Sequence, residues 1–457
     1  MSQKTVDSRS VSIDEFLISS IGNKVIKDIP DIITDLYYYE SILDPSIRVQ
    51  IVYADTGNTV EKNGVYKTLL EGMPLEYGLD SRIKLRDYND VELKLNVNIS
   101  SITPLSKDTT KSLVGVEFIS SEAIDNYKCV VRKRYDGKIS DHVRNILTDS
   151  ELLSTEKKLD IEETENTFNF FGNQKRPFYH ILWLAKRSVP KIQNAKGNTA
   201  GFLFFETSDG FKFKSIDGML SENEPSGSKK NIKSFVYNQT ADLPVEYDGK
   251  IVDLIPPTPG GDVQTKLEAG TYSTRTILFD PFNCYYEVIN PNSQGQSTEL
   301  GSEENLQKAG KSLPKINPKF NKEGRNKDFS RTQYMLLDTG SIPSGSTKQQ
   351  IEKSKEQNFD PKNILNQSSM RYNQLFSSQT TITLDRADFS LHAGDLIYVS
   401  TPELSSKKIQ DFDEYLGGYY LIADICHYIN IKTAGFTKIV AVRDSVGTKG
   451  TPKYNPQ

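Results

Sequence analysis

Residues Thr381–Val399 read TITLDRADFSLHAGDLIYV, Gly417–Ile429 read GGYYLIADICHYI, and Phe436–Asp444 read FTKIVAVRD. The runs are short, rich in Ile, Val, Tyr and Thr, and bounded by Gly, Asp or Pro, which is strand and turn chemistry. Ile382, Leu384, Leu396, Tyr398, Leu421, Ala423 and Ile425 recur at every second position, so each strand has one buried face. Strands of this kind close most readily into a small antiparallel barrel. Gly394 supplies the positive φ of a tight reversal at Ala393-Gly394-Asp395, and Gly417-Gly418 breaks the chain before the next strand.

The same period appears near the N-terminus. Ile47, Val49, Ile51 and Tyr53 alternate with polar or smaller residues and end at Asp55-Thr56-Gly57-Asn58. Val91, Leu93, Leu95, Val97 and Ile99 alternate with Glu92, Lys94, Asn96 and Asn98. With Ile83 and Leu85 between them, residues 31–105 read as an antiparallel, barrel-like domain. Residues from about 1 to 30 read as a mobile or docking segment, with Asp14, Phe16, Ile18 and Ile21 making a weakly amphipathic start.

Beyond Leu113 the pattern changes. Val114, Val116 and Phe118 predict a short strand, and Ser140 an N-cap before Val143, Ile146 and Leu147 at helical spacing. The acidic stretch from Thr148 to Thr167, including Glu162-Glu163-Thr164-Glu165, reads as a solvated loop. Pro177 opens a second helix whose predicted face is Phe178, Ile181, Leu182 and Ala185, with Trp183 beside it. Gly201–Ile216 is an aromatic hairpin carrying Phe204, with its turn at Ser208-Asp209-Gly210. Its rings fit a core, or a surface that receives a partner subunit.

Met219–Lys266, centred on Ile255-Pro256-Pro257-Thr258-Pro259-Gly260-Gly261, reads as a domain junction. Strand signals return at Tyr272–Leu278, break at Asp280-Pro281 and resume at Tyr285–Val288. Residues 291–330 read as a polar insertion, Arg331–Leu337 as a strand, and Asp360-Pro361 as the start of a short helix.

Two motif sets in this order resemble the central baseplate hub proteins of contractile-tailed bacteriophages of the T4 type. One is the helix with Trp183 followed by the hairpin with Phe204 and Gly210. The other is the C-terminal set Gly394, Asp395, Gly418, Tyr419, Leu421, Ile422, His427, Val442, Arg443 and Asp444. The resemblance covers about half of the chain and consists of fold or interface residues. It implies a mainly β chain with an α+β middle domain: two antiparallel tail-tube-like β-barrels plus a helix-hairpin domain and long loops. The expected divisions are 1–110 (N-terminal barrel), 111–240 (α+β), 241–290 (junction and start of the second barrel), 291–370 (polar insertion with a short helix) and 371–457 (remainder of the second barrel).

The resemblance further implies a homotrimer in the virion tail baseplate, assembled in the host cytoplasm. Its partners would be other copies of itself, the tail tube protein, the central spike protein and baseplate wedge proteins. DNA would pass through the channel without specific binding. The two barrels show no residue-level repeat, so a pseudo-six-fold ring is an implication of the family alone.

Composition is consistent with this and excludes several other classes. The 457 residues are 36% hydrophobic and 10% aromatic with 23 Tyr and 21 Phe, which describes several polar-surfaced domains. The net charge of −4 argues against a nucleic-acid-binding surface, which needs clustered Lys and Arg. No apolar run is long enough to span a membrane, so no membrane anchor is expected. Cys129, Cys284 and Cys426 share no spacing that suggests a disulfide framework or zinc.

The candidates for chemistry are few. Of the four histidines, His142, His180, His392 and His427, the first two lie on the predicted helices with no His or Glu partner at metal spacing and are expected at the surface or half-buried, and Cys426 and His427 alternate faces along a strand and so point apart. Nucleophile-elbow and phosphate-loop patterns are missing. Asp411, Asp413 and Glu414 form an acidic group in a predicted loop, where solvation or a subunit contact accounts for them. No catalytic residue, cofactor or metal is expected. The competing readings are a tail-associated peptidoglycan hydrolase, the hub of a related contractile injection machine, and a carbohydrate-binding module, the last disfavoured by a single Trp.

Overall fold

A computed structural model describes residues 11–19, 26–73, 75–191, 199–224, 227–237, 247–259, 263–271, 274–280, 285–289, 306–314, 331–336, 346–348, 361–403, 412–430 and 434–449. The expectations for Ile21, Gly260-Gly261, Tyr272, Pro281, Cys284, most of 291–330, Asp360 and Asp411 lie outside them.

The N-terminal module contains β1 (Ser12–Ser19), β2 (Ile26–Asp28), β3 (Ile33–Ser41), β4 (Arg48–Asp55), β5 (Val60–Lys62), β6 (Val65–Lys67), α1 (Leu69–Gly72), β7 (Asp80–Arg86), β8 (Glu92–Lys107) and β9 (Ser112–Ile119). Its main sheet runs β2-β1-β7-β8-β9-β4-β3, antiparallel throughout. Two expectations change here. Within the expected mobile or docking segment, Ser12–Ser19 form strand β1, whose Phe16 and Ile18 are fully buried in the module's core. β9, which lies beyond the boundary drawn at residue 110, pairs with both β4 and β8 and puts Val114, Val116 and Phe118 into the same core.

The middle module contains α2 (Ser121–Lys128), β10 (Arg134–Tyr135), α3 (Ile139–Thr148), β11 (Leu159–Ile161), β12 (Phe170–Phe171), α4 (Pro177–Ala185), β13 (Phe202–Thr207), β14 (Gly210–Ser215) and α5 (Ile216–Leu220). β13 and β14 form the predicted hairpin, and β11 adds to it in parallel. The hairpin is buried on both faces. Phe202, Phe204, Phe211 and Phe213 enter the core of the middle module, whereas Leu203 and Phe205 enter the C-terminal core. The rings are therefore interior and do not form a docking surface.

Smaller corrections follow from packing. α4 buries Leu184 while Leu182 stays exposed, because the helix faces its neighbours along Phe178, Ile181 and Leu184. Lys138 is the N-cap of α3, and Ser140 lies inside the helix, its N–H donating to Thr164 Oγ1. The acidic stretch is partly interior: Glu162 accepts from the Ser215 N–H at 2.8 Å, and burial pushes its carboxyl up.

The C-terminal part contains β15 (Lys233–Tyr237), β16 (Gly249–Pro259), α6 (Val263–Ala269), β17 (Thr274–Asp280), β18 (Tyr285–Ile289), β19 (Arg331–Leu336), α7 (Pro361–Leu375), β20 (Ser378–Leu384), β21 (Leu396–Ser400), β22 (Gly418–Asn430) and β23 (Ala434–Arg443). The six strands β22-β21-β15-β16-β20-β23 close into a barrel through the β22–β23 ladder. They are antiparallel except at β15, which runs parallel to β16 and β21. The expected junction at 219–266 thus supplies two wall strands. The strands at 274–289 lie outside the barrel, in a separate sheet of order β18-β17-β19. α7, expected to be short, runs for 15 residues.

The two sheets are one. β3 pairs with β22 from Asp35↔Asn430 to Ser41↔Asp424, and the β22–β23 hairpin projects from the barrel into the N-terminal module. Leu421 and Val442 at its base pack in the barrel, and Ile429 near its tip packs in the N-terminal core with Ala387 and Phe389.

Candidate functional site

The elements meet at buried polar clusters, and these are the most chemically endowed places among the described residues. The first lies where β3, the tip of the β13–β14 hairpin and the loop before β21 converge. Glu40, on β3, accepts from the Tyr38 hydroxyl (2.6 Å), the Ser208 N–H (2.9 Å), the Ala393 N–H (2.9 Å) and His392 Nδ1 (3.2 Å). Burial alone would raise its pKa, but these donors outweigh it and hold the carboxyl down at about 2. Burial would likewise lower His392, and the Glu40 carboxylate more than offsets this and raises it.

A second cluster fixes the middle module to the N-terminal sheet. The Lys157 ammonium lies 2.6 Å from both Glu122 Oε2 and Glu206 Oε1, and Glu206 Oε2 accepts the Ile47 N–H. Burial works against the charge on Lys157, but the two carboxylates prevail and raise its pKa. A third fixes α7: Arg371, 2% exposed, reaches Asp217 at 2.8 Å and Asp444 at 2.9 Å. Removing one member of such a group strands the others without compensation in a poorly solvated place, so these clusters hold the modules in one register.

The Ser208, His392 and Glu40 trio has the residue types of a nucleophile, base and orienting acid, but its geometry does not serve catalysis. A base must hold the nucleophile with one ring nitrogen and the acid with the other. Here Ser208 Oγ (3.5 Å) and Glu40 (3.2 Å) both face Nδ1, and Nε2 faces Asp209 at 3.5 Å. His142 and His180, expected at the surface or half-buried, are buried with their ring nitrogens near the carbonyls of Phe168 and Arg176. His427 and Cys426 do point to opposite faces: His427 is buried between Tyr38 and Phe389, and Cys426 is half-buried on the other side. Among the described residues no group of three or more His, Cys, Asp and Glu is arranged to hold a metal.

A cleft of about 410 Å³ opens between β11–β14 and the barrel, with Lys212, Lys214, Lys230 and Lys233 in its wall. Three of the four have partners within the chain. Lys214 pairs with Asp160 and Lys233 with Asp388, each at 2.6 Å, and Lys230, lowered by burial, donates to the Gly218 carbonyl at 2.7 Å. Asp395 and Glu162 line the same cleft.

The remaining motif residues shape the fold rather than form one site. Trp183 packs edge-on against Phe168 and Phe170 with the Arg187 guanidinium 4.0 Å from its ring. Gly394 has φ +85°, and a Cβ there would lie 2.6 Å from the ring of Phe205, so hairpin and barrel can approach only across a glycine. Asp395 accepts the His392 N–H in the same turn. Gly418 begins β22, and the Tyr419 ring meets Tyr398 at 5.2 Å. Arg443 is buried over Tyr420 and donates to the Gly417 carbonyl at 3.1 Å. Asp444 joins the Arg371 cluster and accepts the Ala309 N–H. Sequence reasoning missed Glu40, Lys157, Asp217 and Arg371. Only a charge at an otherwise apolar position could have signalled them, as Glu40 does after Leu36 and Tyr38.

No family model and no curated protein matches this sequence. Solved structures do match. A tail protein from Neisseria meningitidis MC58 superposes with a TM-score of 0.50 at 9% identity, over 94% of this chain and 96% of that one. The 43 kDa tail protein of prophage MuSo2 from Shewanella oneidensis gives 0.49 at 10% identity, over 94% and 98%. A type VI secretion component from E. coli gives 0.41 at 8% identity, over 97% and 78%. The Neisseria likeness is one of fold and spans nearly the whole of both chains.

Proposed function

We propose that this chain is the trimeric central hub of a phage-type tail baseplate, joining the tail tube to the cell-puncturing spike and lining the genome channel. The observation that carries this reading is the continuous sheet in which a six-stranded barrel and a second strand module share the β22–β23 hairpin. The fold shared with a solved tail protein supports it. Three such chains bring six sheet modules around one axis, which suits a six-fold tube on one side and a three-fold spike on the other.

The function in this reading is mechanical. The wall must stay rigid under load, and three buried ion clusters tie the modules together. A net charge of −4 suits passage of DNA without adhesion. Partners are other copies of the chain, the tube protein, the spike and baseplate wedge proteins, within the virion tail.

Light scattering of the purified chain with averaged electron micrographs tests this. A species of three times the 51.5 kDa chain mass with a central hole is expected. A monomer at every concentration, particularly one that clears a peptidoglycan gel, would replace the hub by the hydrolase.

A further inference from the structure

The Lys157 cluster holds more than an ion pair requires. The ammonium touches two carboxylates at once, Glu122 Oε2 and Glu206 Oε1, each at 2.6 Å. The Glu206 side chain has no solvent exposure and that of Glu122 has 6%. The ring of Phe211, which pairs with Glu206 across the hairpin, lies 5.6 Å from Lys157 Nζ and helps to keep water away. Three charges are thus gathered in a place that solvates them poorly, which is a costly arrangement.

The other contacts of the two carboxyls have a chemical use. Glu206 Oε2 accepts the Ile47 N–H at 3.1 Å. That N–H polarises the carboxyl and stabilises negative charge developing on this oxygen. Glu122 Oε1 accepts the Thr155 hydroxyl at 2.6 Å, which fixes its other oxygen against Lys157. A nucleophilic nitrogen, a carboxyl carbon one bond beyond the oxygen it touches, an oxyanion donor and a second carboxylate able to move protons stand together.

We infer that Lys157 and Glu206 condense into an intramolecular amide, with Glu122 as the proton relay. The ammonium first passes a proton across the 2.6 Å contact to Glu206, which leaves a neutral amine beside a carboxylic acid. Burial favours that neutral pair and pushes the Glu206 carboxyl up. The amine lone pair then attacks the Glu206 carboxyl carbon, and charge collects on Oε2 beside the Ile47 N–H. Glu122 takes one proton from the nitrogen and delivers it to the Oε1 hydroxyl, which leaves as water while the carbonyl re-forms. Ammonium plus carboxylate become amide plus water, so no oxidant or further reactant is needed. Only the Glu122 charge remains buried. The bond ties the segment leading into β11 to β13, 49 residues further on, and so staples the hairpin covalently.

Mass spectrometry of the purified, folded full-length chain tests this. The wild type is expected to be lighter than its sequence by one water molecule, and tryptic digestion to yield a branched peptide joining Lys157 to Glu206. Lys157→Arg keeps the cation but cannot couple, and is expected at full mass. Glu122→Gln keeps the shape of the relay without its base, and is expected to couple at least about 100-fold more slowly. Circular dichroism checks that both variants fold. A folded wild type in which Lys157 and Glu206 stay unlinked on prolonged incubation overturns the bond. A water loss that persists in Lys157→Arg also overturns it, since the loss then lies elsewhere. Equal coupling in Glu122→Gln overturns the relay and leaves the bond. The amide forms within one chain, so the mass reports on it whether or not the chain is trimeric.

Discussion

His427 shows how strongly the interior acts on one side chain. Its ring stacks on Tyr38 at 5.9 Å, meets Phe389 edge-on at 5.2 Å, and places Nδ1 2.9 Å from Thr437 Oγ1. Burial depresses its pKa to about 4. In the unfolded chain the imidazole takes up a proton below about pH 6.5, so the unfolded state binds more protons between 6.5 and 4 and stability falls as pH falls through that window. The shift corresponds to roughly 3 kcal/mol. His392 has the opposite sign: its raised pKa contributes stability that is complete below 6.5 and fades as pH rises through the folded value. His427→Gln should therefore flatten the acid side of the stability profile, read as urea midpoints from pH 4 to 7. Equal slopes in variant and wild type would remove His427 from the account. Alternation along the strand was enough to place His427 and Cys426 on opposite faces. Nothing local placed Glu40 beside His392, 352 residues away along the chain.

The β13–β14 hairpin is the element whose sequence speaks most plainly, since Ser208-Asp209-Gly210 stands between two aromatic runs. Gly210 has φ +125°, and a Cβ on it would lie 2.2 Å from the Lys158 carbonyl oxygen, the acceptor that brings β11 onto β14. Gly210→Ala should cost about 3 kcal/mol, combining backbone strain with displacement of β11. The check is a chemical-denaturation midpoint, and a loss below about 1 kcal/mol would mean that β11 yields without penalty. β16 teaches the converse lesson. Pro256 and Pro257 suggested a linker, yet β16 is a barrel strand whose register on β20 slips between Ile255 and Thr258. A bulge there lets prolines, which cannot donate to a ladder, sit in a wall strand.

At the scale of the molecule, the shared hairpin joins two cores. Ile429 packs with Leu36 and Phe389 in the N-terminal core, and the same strand carries Leu421 into the barrel core. Ile429→Ala should lower stability by about 2–4 kcal/mol. Because the hairpin belongs to both modules, calorimetry should show the barrel and the N-terminal sheet melting together, with the joint peak moved down as a whole. Two peaks, of which only one moves, would mean that the modules unfold independently.

The sequence by itself determined the strand-rich class, the half-buried faces of β4, β8 and β22, the start of α4 at Pro177 and the aromatic hairpin, because these depend on side-chain period and local backbone preference. Only the tertiary structure decided which strands close the barrel, that β1 and β9 belong to the N-terminal sheet, that β17–β19 stand apart, and that Glu40, Lys157 and Arg371 become internal ties. Those outcomes depend on contacts between residues far apart in the chain, where an alternating strand fits several neighbours equally well and only the packed partner selects one.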